Sequence, residues 1–181
     1  MALKSTIYKA DLSISDLGHN YYAQHNLTIA RHPSETEERM MVRVLAFALN
    51  VSADAHERLS FGKGLSTDDE PALCLQNDYG GIQMWIDVGL PDERRIRKAC
   101  GRANAVHVYL YGSSIADKWW RDQQKIMETL DKVSVWQLPD TSGLTALCQR
   151  NMTLQCTINE GDIWLSDENS AHNISVLKLK D

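Results

Sequence analysis

Two stretches of strict apolar–polar alternation, one near each end of the chain, constrain its fold more than any other feature. Tyr8, Ala10, Leu12 and Ile14 alternate with Lys9, Asp11 and Ser13; Met152, Leu154, Cys156 and Ile158 do the same near the far end. A period of two sends one set of side chains to a buried sheet face and the other to solvent. Gly18-His19-Asn20 turns the first strand into a returning one over Tyr21 to Ala30. Asn159-Glu160-Gly161-Asp162 turns the second into Ile163 to Leu165. Hairpins are therefore expected at both ends, with one more strand over Asn173 to Lys180.

Helical spacing enters between them. Ser34 and Glu37 read as a capping box before a helix whose inner stripe is Met41, Val44, Leu45 and Ala48, with Arg39 and Arg43 on the opposite face. Short strands are expected over Leu59 to Leu65 and Glu70 to Gln76, and a strong one over Ile82 to Val88. Pro91-Asp92 opens a second helix, with Ile96, Ala99, Cys100 and Ala103 turned inward and Arg95, Lys98 and Arg102 on a polar stripe. Strands over Val106 to Tyr111 and Val133 to Leu138 flank a helix over Asp117 to Leu130, and Thr141 to Arg150 reads as a weaker helix. This order predicts an α/β (mixed α+β) fold in which helices flank a central mixed sheet and the hairpins are additions. No repeat or shift of composition divides the chain, so a single domain over 1–181 is expected.

A chain of 181 residues can bury a core without disulfides or a structural metal. Cys74, Cys100, Cys148 and Cys156 have no paired spacing and read as reduced core thiols. The net charge of −5 argues against broad affinity for nucleic acid, while leaving room for a local basic cleft. No apolar run is long enough for a bilayer and the first residues form no secretion signal, so a cytoplasmic protein without membrane contact is expected.

Phosphate-binding glycine loops and the nucleophile elbow are absent. His107, inside an apolar run, reads as a satisfied core or sheet-face histidine rather than a ligand. Asp87 is the informative residue, because a carboxylate within Trp85-Ile86-Asp87-Val88 cannot be buried alone. It either pairs with an arginine of the next helix or belongs to a cleft. Asp68, Asp69 and Glu70 stand at the entry to the preceding strand, and Glu38 flanks the apolar stripe of the first helix. Two or three such carboxylates suit Mg²⁺ or Mn²⁺, beside a cation from Arg95, Lys98 or Arg102.

The strings from Ala30 to Met41 (ARHPSETEERMM) and from Trp85 to Ile96 (WIDVGLPDERRI) resemble the YaeQ family of bacterial proteins, as do Asp68-Asp69-Glu70-Pro71, Ser134-Val135-Trp136 and Ile163-Trp164-Leu165-Ser166-Asp167. The resemblance runs over nearly the whole chain. It implies a PD-(D/E)XK nuclease-like fold, with Asp69 (or Glu70) as first acid, Asp87 as second and Glu38 as the helix carboxylate. The motif lysine is replaced by Gly89, so the resemblance implies that Lys98, or Arg95, supplies the cation. It also implies a Mg²⁺- or Mn²⁺-dependent phosphodiesterase of nuclease type: Asp69 and Asp87 bind metal, Glu38 binds metal or orients water, and Lys98 stabilises charge. The rival expectation is a non-catalytic module on the same fold that binds protein or nucleic acid through a remodelled pocket or a surface bearing Trp119 and Trp120.

Overall fold

A computed structural model of the chain describes residues 4–54, 56, 58–63 and 70–181. The first hairpin forms where the alternation puts it, with β1 (Thr6–Asp16) antiparallel to β2 (Tyr21–Arg31). It is not an appendage. β1 also pairs in parallel with β8 (Asn151–Asn159), which continues through β9 (Asp162–Ser166) to β10 (Ala171–Ser175). The two alternating stretches thus zip together into a five-stranded sheet of order β10-β9-β8-β1-β2. The expectation of one central sheet is corrected to two mixed sheets. Alternation reveals that a strand has a buried face, but not which strand lies beside it.

The second sheet has six strands in the order β11-β7-β6-β5-β4-β3. They are β3 (Leu59–Phe61), β4 (Leu73–Gln76), β5 (Ile82–Val88), β6 (Ala103–Tyr111), β7 (Val133–Leu138) and β11 (Leu177–Lys180). β5, β6 and β7 run parallel, while β3, β4 and β11 pair antiparallel. The expected tail strand is in fact two, divided at Val176. Its N–H is tied to the carbonyl of Gly161 at 2.6 Å, so β10 closes one sheet and β11 enters the other. Of the expected strand Leu59 to Leu65, Gly64 and Leu65 lie outside the described residues. Gly62 has a steric reason, since a Cβ there would meet the Pro71 carbonyl oxygen at 2.2 Å.

Helix α1 (Glu37–Asn50) lies between the sheets. One core joins Leu12, Ile29 and Leu154 of the first sheet to Met41 and Leu45 of α1 and to Ile86 and Tyr109 of the second. Every residue from Met40 to Ala48 is buried, Arg43 included. A wet face for Arg43 assumed that only one side of α1 is covered, and both are. The N-cap is also corrected. Thr36, not Ser34, accepts from the Arg39 N–H, at 3.1 Å, with the same hydroxyl chemistry two residues later.

On the outer face of the second sheet, α2 (Glu93–Arg102) and α3 (Ser114–Met127) cover Trp85, Val106, Val108 and Leu110 through Ile96, Ala99, Ala116 and Met127. The expected helix after β7 shrinks to a 3₁₀ segment, Ser142–Leu147. All four cysteines are free thiols, and burial, then the Asp16 charge, pushes Cys156 up to about 12. At pH 8 Cys156 is expected to react with a thiol reagent roughly a thousandfold more slowly in the folded protein than after denaturation. Mass spectrometry of the alkylated peptide checks this, and a folded-state rate matching the denatured one would contradict it.

Candidate functional site

Asp87 sits near the carboxyl end of β5, where successive side chains alternate between faces. Ile86 and Val88 belong to the core around α1, whereas Trp85 belongs to the core under α2 and α3. Asp87 therefore faces α2. Asp92 caps that helix by accepting the Arg95 N–H at 2.7 Å, which fixes Arg95 one turn in and aims it back at β5. The result is a two-pronged ion pair, Arg95 Nε to Asp87 Oδ2 at 2.8 Å and Nη2 to Oδ1 at 2.7 Å. Nη2 also donates to the backbone oxygen of Glu70 at 2.7 Å, and the guanidinium lies over the Trp85 ring at 5.7 Å. Asp87 is 2% exposed and Arg95 7%. Of the two readings open for Asp87, pairing with the next helix is the one observed. Arg95 leaves the exposed stripe on which helical spacing put it.

The other candidates among the described residues do not converge on Asp87. Glu38 extends from α1, on the opposite side of the second sheet from Asp87, and its Oε1 accepts from the Thr141 hydroxyl at 2.7 Å. The Glu70 carboxylate turns outward to Lys63 at 3.2 Å, although its backbone does reach Arg95. Lys98 is exposed on α2. Asp68 and Asp69 lie outside the described residues. Gly89 has φ +103, a left-handed conformation in which the motif lysine would be strained. Trp119 and Trp120 are both half-buried against the outer core, and the Trp119 indole donates to the Pro91 carbonyl at 3.0 Å. Among the described residues no three acidic, histidine or cysteine side chains stand together as a metal would need. Nor does Asp87 fit a Mg²⁺ or Mn²⁺ ion, because a guanidinium already occupies both of its oxygens.

A different group of side chains converges on the inner face of the second sheet. A cavity of about 410 Å³ lies at the end of α1, lined by Asn50, Met84, His107, Tyr109, Trp136 and Lys178 among others. The sheet register creates it. Tyr109 lies opposite Trp136, and Trp136 opposite Lys178, so the three stand in one row. The Trp136 and Tyr109 rings stack at 5.0 Å, His107 meets the Trp136 ring edge-on at 4.8 Å, and the Lys178 ammonium lies 6.0 Å from the indole centre.

Asn50, 5% exposed, organises the polar atoms. Its Nδ2 donates to Ala46 O at 2.7 Å and to the Tyr109 hydroxyl at 2.8 Å, leaving Oδ1 to face His107 Nδ1 at 2.8 Å. With Oδ1 an acceptor, the proton of a neutral His107 resides on Nδ1 and Nε2 carries a lone pair. Burial first, then the Lys178 charge, pushes His107 down to about 4, so the ring is neutral at pH 7. Sequence reasoning passed over this group because a histidine in an apolar strand looks like core. Its one signal is that Asn50, His107 and Trp136 are polar or amphipathic residues at element ends or on a face that is otherwise apolar.

The depressed His107 pKa has a stability consequence. The unfolded chain takes up this proton near pH 6.5 and the folded chain only near pH 4. The stabilisation is therefore complete above pH 6.5 and is lost as pH falls towards 4. It amounts to about 3 kcal/mol. Urea titrations at pH 7 and pH 4.5 are expected to show a smaller loss for His107→Gln than for the wild-type chain. An equal loss in both would contradict it.

A protein with helices on both faces of a mixed sheet, joined through a sandwiched helix to a second sheet, is a mixed α/β protein of a two-sheet type. The family model for the YaeQ protein matches residues 1–176, and the chain belongs to the YaeQ family. It is 49% identical over 170 residues to the uncharacterized protein YaeQ of Escherichia coli (strain K12), covering 93% of this chain and 92% of that protein. Identity to the Salmonella typhi protein of the same description is 50% over 169 residues, covering 92% and 91%. The crystal structure of the YaeQ protein from Xanthomonas axonopodis pv. citri superposes with a TM-score of 0.90 at 40% identity, covering 97% of this chain and 98% of that one. That from Pseudomonas syringae gives 0.87 at 34%, covering 98% and 97%. No helix among the described residues is long and apolar enough to cross a membrane.

Proposed function

We propose that the chain is a binding protein whose ligand enters the cavity beside His107, and that Asp87 holds the fold together rather than a metal. The observation that carries this is the buried, two-pronged Asp87–Arg95 pair, in which both carboxylate oxygens are already neutralised. A cavity of roughly this size with an aromatic wall and a few fixed polar groups is what small-molecule sites commonly offer. The perturbed His107 adds the kind of group that collects at such sites.

The second reading is the Mg²⁺- or Mn²⁺-dependent phosphodiesterase on a PD-(D/E)XK nuclease-like fold, acting on nucleic acid. It draws support from the approach of the Glu70 backbone oxygen to Arg95, which places Glu70 at the Asp87 end of the sheet. In it, Asp69 and Asp87 would hold metal, and Arg95 would have to release Asp87. Two-dimensional NMR with a fragment library separates the two readings. Shifts are expected to cluster at Asn50, His107 and Trp136. Shifts clustered at Asp87 and Lys98, or cleavage of DNA or RNA by the chain that requires Mn²⁺, would overturn the binding reading.

A further inference from the structure

The polar atoms around the cavity are specific enough to define the chemistry of a ligand. Asn50 Oδ1 is committed to His107 Nδ1, and both Nδ2 hydrogens are spent on Ala46 and Tyr109. His107 is therefore held in one orientation and one tautomer, with Nε2 as an acceptor for which the described residues supply no partner. A ligand group meeting Nε2 must bring a hydrogen, as a ring N–H or an O–H.

The opposite requirement holds beside Trp136. The Lys178 ammonium lies over the indole and its described ion-pair partner is Asp181, at the end of the chain. Their side chains are 51% and 86% exposed, so this pair is a weak competitor that an anionic group can displace. Beside the Nε2 acceptor and the anion site stand the Trp136 and His107 rings, which favour a flat π-system over a branched aliphatic one. The cavity volume of about 410 Å³ suits a single ring system with one anionic substituent rather than a polymer segment.

We infer that the cavity binds a planar heteroaromatic anion, with a ring N–H donating to His107 Nε2 and a carboxylate or phosphate held by Lys178. This rests on the binding reading given above and names the class of ligand. No covalent step is involved.

Orotate, a flat ring carrying N–H groups and one carboxylate, is the probe. Uracil keeps the ring N–H without the anion, benzoate keeps the anion without the N–H, and uridine monophosphate offers phosphate in place of carboxylate. Titration followed by NMR of the His107 imidazole nitrogens and the Trp136 indole is expected to show saturable orotate binding. Binding of uracil and of benzoate should each be weaker by about tenfold, the worth of one such contact. His107→Phe, which keeps a ring but removes the acceptor, should weaken orotate about tenfold, and Lys178→Gln, at an exposed position, by several-fold. If uridine monophosphate binds better than orotate, the natural anion is a phosphate; the reverse makes it a carboxylate.

If benzoate or uracil binds at His107 and Trp136 as tightly as orotate, the ligand class is wrong while the binding reading stands. Orotate binding that Lys178→Gln leaves unchanged in a folded protein also sinks the class. No saturable shift at His107 or Trp136 with any of the four probes overturns the inference. Fragment shifts that fall instead at Asp87 and Lys98 would remove the binding reading as well.

Discussion

Replacing Asp87 with alanine is expected to cost the fold about 3–5 kcal/mol, because it strands the Arg95 guanidinium in a site 7% exposed to solvent. For a chain of this length that lowers Tm by roughly 10 °C or more. Arg95→Ala should cost a similar amount by leaving the Asp87 carboxylate uncompensated. The double replacement Asp87→Ala with Arg95→Met should be much less harmful than the two single effects added together, since no unpaired charge then remains. A carboxylate held in readiness for a metal behaves in the opposite way. In metal-free buffer it is repelled by neighbouring acids, so its removal leaves stability unchanged or improved. Denaturant midpoints of the three variants therefore decide between the two accounts without any activity assay.

Glu35→Ala is expected to be as severe. The Glu35 carboxylate receives Arg39 Nη1 at 2.5 Å and Arg43 Nη2 at 2.8 Å, and it stands 4% exposed just before α1. Arg43 is fully buried, gives a further hydrogen bond to the Ala30 carbonyl at 2.8 Å, and has its pKa lowered chiefly by that burial. Without Glu35 the Arg43 charge keeps the Ala30 and Gly62 carbonyls and the Phe61 ring, with no carboxylate among the described residues paired to it. A loss of about 3–5 kcal/mol follows from the usual penalty for an uncompensated buried charge. Urea unfolding of Glu35→Ala checks this. A loss below about 1 kcal/mol, the worth of an exposed ion pair, would show that Arg43 relaxes to water and that the sandwich around α1 is looser than described.

The elements were readable from the sequence wherever one periodicity dominated. β1, β2, β5, β7, β8 and β9 fall close to the stretches that alternation or apolar runs mark out. What periodicity does not carry is partnership. The parallel pairing of Leu12 with Leu154 joins the two ends of the chain, and nothing local to either strand encodes it. The two arginine errors share that cause. Arg43 and Arg95 occupy positions that a helical wheel assigns to solvent. Their burial depends on a second sheet covering α1 and on a strand-end aspartate behind α2. Arginine tolerates this because its fork can satisfy a carboxylate and a carbonyl together.

The candidate site was legible in outline only. Asp87 stood out because a carboxylate among Trp85, Ile86 and Val88 needs a partner, and the partner it has is one of those foreseen. Glu38 was grouped with it from its place beside an apolar stripe, yet strand phase puts Asp87 on the other face of the sheet. The His107 cavity depends on three elements far apart in sequence, α1 ending at Asn50, β6 and β7, and it emerges only once they are packed.

Calorimetric titration of Mn²⁺ into the wild-type chain, beside Asp87→Asn with its folding verified, tests the central claim most directly. With Asp87 committed to Arg95, no one-site isotherm is expected in either protein up to millimolar metal. A one-site Mn²⁺ isotherm in the wild-type chain that disappears in folded Asp87→Asn would contradict the account and make Asp87 a metal ligand.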